Sequence, residues 1–453
     1  MKILHFSLGF PPFRRGGMTQ YCMDLMCEEM QCGHYVTLLW PGKLRDLSEK
    51  SKIIQHTEYE LGNDLKCKNY ELINSLPIPL MDGIVDPDLY MIKKDKNIYL
   101  NFFSKFHFDI FHIHTFMGLP FEFEEAAQEC GVKVIYTSHD YFPICPRCNL
   151  FYRGKDCVDD HNCQDCVDCN KQGLSLCKMK LFQSDLYRLV KDNSLIQLLR
   201  KRHNKKMYIA SKVSTERKLE NVDKQKKYCK LRERYIQVLE SLDGVHFNSN
   251  NTLKVYCDRG YSGHNAHVIS ISNSAIMDHK KIRNLHTPIR FGYLGPITTH
   301  KGYELFNAAC KEMWDQGIRS FEAHIFVELE KRPPYIVCHK PYQYRQLPEV
   351  MDEFDVLLAP SKWEETFGFT VLEGLSYGIP VIVSNRVGAK DLIEDGRNGY
   401  IVEADSKKLK SVMEMLIQIP EKVSEMNEMI FHSVRIKNMR EHCEEIEHLY
   451  REI

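Results

Sequence analysis

The sequence lacks an excess of charge of either sign. Its 453 residues include 61 Lys and Arg and 61 Asp and Glu, so the formal net charge is zero. A chain without a basic excess has no general attraction for nucleic acid, and we expect no nucleic-acid partner. The chain also has no run of eighteen apolar residues, the length that crosses a bilayer as a helix.

The first residues lack the features of a secretion signal. Met1–Ser7 has the pattern of a first β-strand, and no small-residue cleavage site follows it. We therefore expect a cytoplasmic protein. In that compartment cysteines are usually reduced thiols or metal ligands and not disulfides.

Cysteine itself is abundant, with 17 in the chain. Seven lie between residues 145 and 177, and pairs separated by two residues occur at 145/148, 163/166 and 166/169. Thiolates at this spacing are typical zinc ligands. We predict a structural zinc held by Cys145, Cys157, Cys166 and Cys169, with His161 as an alternative ligand. An iron–sulfur cluster or metal-free thiols are the other interpretations of this segment.

The length of the chain is too great for one hydrophobic core and suits two domains. Apolar runs of strand length alternate with longer amphipathic segments, from Lys2–Leu8 to Gly399–Val402. This alternation predicts an α/β fold with parallel, doubly wound sheets. Ligands of such sheets bind beyond the carboxyl ends of the strands, so we expect the functional residues there.

The segment from Glu365 to Glu373 carries the clearest chemical pattern. It places two carboxylates eight positions apart, with Phe367-Gly368 between them, after an apolar strand and at the start of a short helix. A helix N-terminus attracts phosphate, and a carboxylate farther along accepts hydrogen bonds from hydroxyls. This combination suits a nucleotide sugar, although two surface glutamates on an ordinary connection would have the same spacing.

Two glycine-containing loops have the pattern of phosphate-binding turns. Gly16-Gly17 follows the first strand and precedes a helical run, so the backbone there can approach a ligand closely. In the second half, Gly295 follows a strand and Lys301-Gly302 comes six residues later. Lysine serves in such loops as a point charge for phosphate, whereas a plain turn and a solvated lysine are the alternatives.

Three segments together resemble the C-terminal half of glycosyltransferase family 4 enzymes: Ser361–Gly368, Leu372–Ser384 and Glu394–Val402. The resemblance covers most of the chain. It implies the GT-B fold, in which two Rossmann-like doubly wound domains face each other across a cleft. It also implies sugar transfer with retention of the anomeric configuration.

The resemblance also implies a domain organisation. Residues 1–275 form an acceptor-side domain with a cysteine-rich insert at about 145–177 and a basic helical segment at about 178–234. Residues 276–423 form the nucleotide-sugar-binding domain, and residues 424–453 form a helix that returns to the first domain. The insert follows His139-Asp-Tyr-x-Pro-x-Cys-Pro-Arg147, a segment similar to one in some bacterial members of the family.

The resemblance assigns donor-side roles to individual residues. Glu365 contacts the donor sugar, Glu373 contacts the ribose, and Lys301 neutralises the diphosphate. The further donor-binding positions are Gly16, Gly17, Gly295, Phe367 and Gly368. The chain departs from the family at Pro296, where an arginine usually follows the glycine.

Two histidines follow strands of the first half. His139 matches the family position that faces the reacting carbon of the donor sugar, where it orients a hydroxyl and stabilises developing positive charge. His114 is a candidate for the acceptor side. The leaving nucleotide needs neutralisation of its charge more than protonation, so we expect no catalytic metal.

The predicted function is therefore retaining transfer of a sugar from a nucleotide-diphosphate sugar to a saccharide or lipid-linked acceptor, in polysaccharide or glycolipid biosynthesis. A nucleotide-sugar epimerase of the same fold and a degenerate, non-catalytic binding protein are the alternatives. Residues 178–234 hold 18 Lys and Arg against six Asp and Glu. Such a segment is either a solvated face or a surface for anionic lipid, which would place the protein peripherally at the inner face of the plasma membrane.

Overall fold

The computed structural model describes residues 1–11, 13–62, 64–152, 154–157, 162–191, 193 and 221–453. These residues form two compact units. The first contains Met1–Asn248, Leu253–Ile269 and Met439–Ile453, and the second contains Ser249–Thr252 and Ser270–Asn438. His161 and about half of the basic segment (192 and 194–220) lie outside the described residues, so the predictions made for them stay as they are.

The first unit is built on a nine-stranded sheet within the described residues, and a separate two-stranded sheet accompanies it. The strands in chain order are β1 Lys2–Phe6, β2 Tyr35–Pro41, β3 Lys52–Gln55, β4 Tyr59–Gly62, β5 Leu65–Ile73, β6 Ile110–Ile113, β7 Lys133–Ser138, β8 Phe151–Tyr152, β9 Lys155–Asp156, β10 Gly244–Phe247 and β11 Ala266–Val268. The main order is β11-β10-β7-β6-β1-β2-β5-β3, with β4 beside β5.

The centre of this sheet is parallel and apolar. Strands β1, β6 and β7 pair in parallel, and the register places His5 beside His112. Ile3, Leu4 and Phe6 are buried, as expected for a strand with helices on both faces. The carboxyl ends of β6 and β7 lead directly into His114 and His139.

Helices cover both faces of this sheet. Those before residue 260 are Gly17–Gln31, Lys96–Phe106, Phe121–Glu129, Gln164–Cys169, Leu176–Phe182, Asp185–Val190, Val222–Ser241 and Asn250–Cys257. Short 3₁₀ turns lie at Leu80–Asp82 and Pro87–Tyr90. A cluster of aromatic rings that includes Phe103, Phe111 and Phe123 fills much of the core.

The C-terminal region differs from the single helix that we predicted over 424–453. Two helices occupy it, Glu421–Ser433 and Met439–Glu452, with a break at residues 434–438. The first helix belongs to the second unit, and the second helix belongs to the first unit. The amphipathic period continues through the break, so the pattern alone did not reveal it.

The second unit is built on a six-stranded parallel sheet within the described residues. Its strands are β12 Ile289–Tyr293, β13 Phe321–Ile325, β14 Ile336–Cys338, β15 Val356–Ala359, β16 Val381–Ser384 and β17 Gly399–Val402, in the order β14-β13-β12-β15-β16-β17. Its helices are Tyr303–Asp315, Leu347–Met351, Phe369–Ser376, Ser406–Gln418 and Glu421–Ser433, with 3₁₀ turns at Tyr344–Gln346 and Gly388–Leu392. The predicted α/β fold with two Rossmann-like domains is confirmed.

None of the helices in the described part of the chain combines the length and the apolar character that a bilayer crossing requires.

Candidate functional site

The second unit brings Lys301 and Glu365 into direct contact. Glu365 lies in the connection between β15 and the helix Phe369–Ser376, and Lys301 lies between β12 and the helix Tyr303–Asp315. Because β12 and β15 are neighbours in a parallel sheet, both connections emerge at the same edge. Lys301 Nζ donates to Glu365 Oε1 at 2.5 Å, and Ser361 Oγ donates to Glu365 Oε2 at 2.8 Å.

The environment keeps Glu365 ionised. Burial raises the pKa of its carboxyl group, but the Lys301 ammonium and the hydrogen bonds from Lys301 and Ser361 more than offset this and hold the pKa below its ordinary value. Backbone bonds fix the position of the residue: Glu365 N donates to Arg386 O and Gly388 N donates to Glu365 O, each at 2.9 Å. The carboxylate is therefore a preformed acceptor.

Glycines of these connections are required by close approaches of the backbone. Gly302 has a φ of 77°, and a Cβ there would lie 1.8 Å from Pro360 O. Gly368 has a φ of 95°, and a Cβ there would lie 2.6 Å from Val387 Cγ1. A side chain at Gly295 would lie 2.7 Å from Tyr293 Oη, which also contacts the carbonyl oxygens of Pro296 and Lys301 at 2.8 Å and 3.2 Å. The loop that carries Lys301 is thus held by Tyr293.

Glu373 and Phe367 occupy different surroundings from the Lys301–Glu365 pair. Glu373 accepts a hydrogen bond from Tyr344 Oη at 3.0 Å. Burial raises the pKa of its carboxyl group, and the Tyr344 hydrogen bond opposes this shift. Phe367 is buried and packs edge-on against Phe369. Gly368 begins the helix Phe369–Ser376 without a capping side chain, so its first amide groups have no partner within the helix.

In the first unit, Gly16 and Gly17 lie at the start of the helix Gly17–Gln31. Gly16 has a φ of 145°, in the region that favours glycine, and it begins the helix Gly17–Gln31 without a side-chain cap. Among the described residues, no atom lies within 4 Å of the position that a Cβ would take at either glycine. Packing against the described residues therefore gives no reason for the second glycine.

His114 and His139 contact each other in the first unit. His114 is buried, His139 is half-buried, and His114 Nδ1 lies 3.2 Å from His139 Nε2. Burial, together with the charge of nearby His246, lowers the pKa of His139 to about 3. Burial raises the pKa of the adjacent Asp140 to about 6. His139 is thus a neutral, hydrogen-bonding imidazole over the physiological range.

Sequence reasoning missed two residues behind these histidines. His5 Nδ1 lies 3.0 Å from His114 Nε2, and His5 Nε2 lies 2.7 Å from Glu29 Oε2. All of these groups except His139 are buried. The only sequence signal was a histidine in the first apolar strand, which carries no functional meaning until the register with β6 is known.

The cysteine-rich segment forms a compact region beside the helix Val222–Ser241. Cys148, Cys163 and Cys166 are buried, and burial raises the pKa of Cys169 to about 12. Arg147 and Arg232 point toward sulfur atoms, with Arg147 Nη1 3.9 Å from Cys169 Sγ and Arg232 Nη2 3.7 Å from Cys166 Sγ. The described groups of three or more ligand atoms within 4.8 Å of one another do not include the four predicted zinc ligands.

A cavity of about 290 Å³ lies in the first unit, where β1 and β2 end. Its described lining residues are Leu8, Gly9, Phe10, Phe13, Arg14, Arg15, Trp40, Pro41, Ile78, Phe182, Gln183, Tyr187, Arg188 and Lys191. The last five belong to the basic segment identified in the sequence. The described lining thus contains four cationic residues and five aromatic residues but no carboxylate.

Comparison with known proteins gives a family match for part of the second unit. Residues 335–430 match the sequence profile described as "Glycosyl transferases group 1". The chain is 30% identical over 128 residues to an "Uncharacterized 41.2 kDa protein in cps region" of Klebsiella pneumoniae, which covers 27% of this chain and 35% of that protein. It is 27% identical over 157 residues to the amylovoran biosynthesis glycosyltransferase AmsK of Erwinia amylovora, a match that covers 30% of this chain and 38% of that protein. The matches thus span little more than a third of these relatives.

Solved structures are similar over the whole chain at low sequence identity. Sucrose-phosphate synthase from Thermosynechococcus elongatus has a TM-score of 0.56 and 13% identity, covering 100% of this chain and 98% of that one. Anabaena Alr3699/HepE in complex with UDP-glucose has a TM-score of 0.54 and 12% identity, covering 100% of both chains. These neighbours are GT-B glycosyltransferases, and similarity at this identity concerns the fold. The described molecule therefore has a GT-B fold and contains a glycosyl transferase group 1 segment.

Proposed function

We propose that this protein is a retaining glycosyltransferase of the family 4 type. It moves a sugar from a nucleotide-diphosphate sugar to a saccharide or lipid-linked acceptor. The observation that carries the proposal is the Lys301–Glu365 pair, held at the carboxyl edge of a parallel sheet by glycines that permit close backbone approach. The group 1 match over residues 335–430, which include Glu365, supports the same conclusion.

In this proposal the donor diphosphate displaces Glu365 from Lys301. The ammonium group exchanges a carboxylate oxygen for a phosphate oxygen and neutralises the charge that grows on the leaving nucleotide. The uncapped amides at the start of the helix Phe369–Ser376 add partial positive charge nearby. The loop bearing Lys301 is already held by Tyr293, so little ordering remains to be done at that step.

Glu365 is then available to the donor sugar. Ser361 keeps hold of one carboxylate oxygen, and the oxygen released by Lys301 accepts hydrogen bonds from sugar hydroxyls. Glu373 takes the ribose hydroxyls in exchange for Tyr344. His139, a neutral imidazole, orients a sugar hydroxyl and stabilises positive charge that develops at the reacting carbon.

The setting that we propose is polysaccharide or glycolipid assembly. One relative is named for amylovoran biosynthesis and another for a cps region, which supports a saccharide acceptor. Alr3699/HepE is described in complex with UDP-glucose, so UDP-sugars are the first donors to test. Association of the basic segment with anionic membrane at the cytoplasmic side is part of the same proposal.

A donor panel scored by nucleotide release tests the proposal, and Lys301→Ala and Glu365→Gln identify the site. We expect both variants to lose affinity for the donor or to slow transfer by roughly a hundredfold, the usual effect of removing a group that stabilises developing charge. The matched control is the Lys362–Glu304 pair, whose atoms lie 2.6 Å apart on the same unit. Lys362→Ala and Glu304→Gln are expected to leave turnover unchanged.

Two results would contradict the proposal. Nucleotide release from no donor, in the presence of acceptor extracts, would favour a binding protein. Conversion of one nucleotide sugar into its epimer without nucleotide release would favour an epimerase.

The structural zinc remains a separate proposal for Cys145, Cys157, Cys166 and Cys169. Cys145, Cys157 and Cys166 pack in or against one apolar cluster of the first unit. Metal binding would deprotonate all four thiols, including Cys169, whose pKa burial raises to about 12. We expect about one zinc per chain by elemental analysis and loss of that metal in Cys166→Ser. Cys257→Ser, at an exposed cysteine, is the control. Metal-free protein purified without chelators would disprove this assignment.

A further inference from the structure

The cavity of the first unit has the chemical character of an anion-binding site with stacking surfaces. Arg188 lies with its guanidinium 4.8 Å from the centre of the Trp40 ring. The rings of Phe13 and Trp40 are nearly parallel, at 11° with centroids 6.5 Å apart. Phe13 is 41% exposed, which is unusual for a phenylalanine that packs against other rings.

The described lining of the cavity is rich in positive charge. Arg188 donates to Glu71 Oε1 at 3.0 Å and lies 3.9 Å from Asp185. Lys191 Nζ donates to the carbonyl oxygen of Phe13 at 2.6 Å, which brings no negative charge. With Arg14 and Arg15, the described lining holds four cationic residues and no carboxylate. The described walls of the cavity are therefore cationic.

We infer that this cavity binds a saccharide unit that carries a negative charge, as a carboxylate or a phosphate, in the acceptor. Arginine forks suit both groups through paired hydrogen bonds. The exposed face of Phe13 offers an apolar surface to a sugar ring. A volume of about 290 Å³ is at the lower end for ligand pockets and suits one such unit better than an extended chain.

The position of the cavity agrees with this assignment. Leu8 and Gly9 follow β1, and Trp40 and Pro41 end β2, so the cavity lies beyond the carboxyl ends of parallel strands. The basic segment contributes one wall, with lining residues between Phe182 and Lys191. These residues thus have a ligand in this proposal and are more than a solvated face. The assignment of this sugar to the acceptor rests on the proposed function, whereas the binding of an anionic sugar in the cavity does not.

Ligand-detected NMR with three probes tests the inference: glucuronate, glucose 1-phosphate and glucose at equal concentration. We expect binding of at least one anionic probe and none of glucose. Arg15→Gln should weaken that binding roughly tenfold, the effect of losing one charge-assisted hydrogen bond. Phe13→Leu should weaken it too, and Arg397→Gln, on the second unit, should have no effect.

Each outcome bears on a defined statement. Equal binding of glucose, or unchanged binding in both Arg15→Gln and Phe13→Leu, would overturn the inference. Binding of glucuronate alone or of glucose 1-phosphate alone identifies the charged group. Anionic-sugar binding without any nucleotide release from the donor panel would leave the cavity assigned and remove the transferase proposal.

The core of the first unit supports a second inference, which concerns the number of protons that its polar groups hold. A buried network of hydrogen bonds runs from His139 to Ile269 O. It comprises His139, His114, His5, Glu29, Tyr450, His112, Thr137, His246 and the carbonyl oxygen of Ile269. The successive donor–acceptor distances are 3.2, 3.0, 2.7, 2.9, 2.6, 2.6, 2.9 and 2.7 Å in that order.

The hydrogen bonds of this network require one more hydrogen than its groups supply when the histidines are neutral and Glu29 is ionised. Eight contacts at hydrogen-bond distance need eight hydrogens, one between each pair of heavy atoms. Five neutral histidines, one tyrosine and one threonine supply seven, and an ionised Glu29 supplies none. An unmade bond in this buried region would cost about 1 to 3 kcal/mol, and an isolated buried carboxylate would cost more. One further proton completes the eight hydrogen bonds and balances the charge of the carboxylate.

The missing hydrogen belongs to one side of Glu29. From His139 to Glu29 three bonds have three hydrogens, supplied by His139, His114 and His5. From Glu29 to Ile269 O five bonds have four, since Tyr450, His112, Thr137 and His246 each supply one. We propose that the first unit stores one extra proton on the Glu29–His246 side and that Glu29, acting through His5 and His114, fixes His139 in the Nε2–H tautomer.

The surroundings restrict where this proton resides. Burial lowers the pKa of His112 well below its ordinary value, so that ring stays neutral. The proton then sits on Glu29, with five neutral rings, or on His246, with an ionised Glu29. Either way the network as a whole is neutral, and His139 is held in one tautomer by groups far from its surface.

Ring-nitrogen NMR of the ligand-free protein tests this second inference. We expect His139 to carry its hydrogen on Nε2. We also expect either a protonated Glu29 carboxyl with neutral rings or a cationic His246. A carboxyl that is ionised while all five rings are neutral would overturn the stored proton. A hydrogen on His139 Nδ1 would overturn the positioning role.

Two variants separate positioning from general damage to the core. Glu29→Gln supplies an amide that donates toward Tyr450 and accepts from His5, so all eight bonds persist with neutral rings. We expect it to keep the His139 tautomer. Glu29→Ala removes both partners and should leave His139 in a mixture of tautomers. If Glu29→Gln disturbs the tautomer as much as Glu29→Ala does, Glu29 is not the positioning residue.

Discussion

At the scale of single residues, the second unit shows why an ion pair and several glycines occur together. Lys301 and Glu365 are 64 positions apart in the chain and meet because β12 and β15 are neighbours. The connections that carry them pass so close to other backbone atoms that Gly302 and Gly368 leave no space for a side chain. The residues that could bind a donor are thus positioned by residues that cannot be replaced for steric reasons.

Two glycines that bound the same helix give a direct test of this argument. Gly302 precedes the helix Tyr303–Asp315 and Gly317 follows it, with φ values of 77° and 89°. Gly317→Ala meets no atom of the described residues within 4 Å and should cost only the backbone conformation, about 1 to 2 kcal/mol. Gly302→Ala adds a clash with Pro360 O and should cost on the order of 3 to 5 kcal/mol. Chemical denaturation followed by fluorescence measures both, and equal costs would refute the steric argument.

Sequence patterns identified the contact between Lys301 and Glu365 only as two separate motifs. Lys301 and Glu365 lie on connections that follow neighbouring strands, whereas Glu373 lies in the helix Phe369–Ser376. His5 and Glu29 were missed because their partners come from β6 and the C-terminal helix, and no local pattern encodes such long-range contacts. The roles assigned to the site residues remain predictions that the experiments above test.

At the scale of elements, the helix Met439–Glu452 supplies polar partners to the core of the first unit. Tyr450 Oη lies 2.6 Å from His112 Nδ1 and 2.9 Å from Glu29 Oε1, and His442 Nε2 lies 2.7 Å from Tyr21 Oη. This helix also buries Cys443, Ile446 and Leu449. Its docking therefore combines apolar burial with hydrogen bonds that the sheet cannot make alone.

The contribution of Tyr450 is measurable with a one-atom change. Tyr450→Phe keeps the ring and removes the hydroxyl, which leaves buried atoms of His112 and Glu29 without that partner. We expect the free energy of unfolding to fall by roughly 2 to 4 kcal/mol. Tyr35→Phe, at a tyrosine that is 77% exposed, should change it by less than about 0.5 kcal/mol. A similar small change in both variants would mean that the hydroxyl is not structurally important.

The alternation of apolar runs with amphipathic segments predicted the central strands of both sheets, but not β8, β9 or the strands of the region 52–73. There β3 and β4 pair antiparallel with β5 at one side of the first sheet. These strands carry lysines and glutamates on exposed positions, so they lack the continuous apolar character that marks central parallel strands. The break at residues 434–438 was missed for a related reason, because a helical period can continue across a connection.

At the scale of the whole molecule, the buried neutral histidines make stability depend on pH. Burial lowers the pKa of His112 and His114 well below the ordinary value and that of His139 to about 3. Between these values and about 6.5 the unfolded chain binds more protons than the folded chain, so stability rises with pH. The contribution of these three rings is complete above about pH 6.5 and declines as the pH falls below that value.

Thermal unfolding of the first unit between pH 5 and 7.5 measures this dependence. Each histidine that is neutral when folded and charged when unfolded contributes a slope of about 1.4 kcal/mol per pH unit. His139→Asn should reduce the slope by one such contribution. His448→Asn, whose side chain is 69% exposed, should leave it unchanged. A first unit that is as stable at pH 5 as at pH 7.5 would contradict the neutrality of these rings.

The distant origin of Tyr450 has a consequence for synthesis on the ribosome. His112 and Tyr450 are 338 positions apart. At a translation rate of about 5 to 20 residues per second, Tyr450 is therefore synthesised roughly 20 to 70 seconds after His112. During that interval the polar groups in its core have only water or a chaperone to satisfy them. A premature stop before residue 439 would make that exposure permanent, and we expect such fragments to be recognised and degraded by cellular proteases.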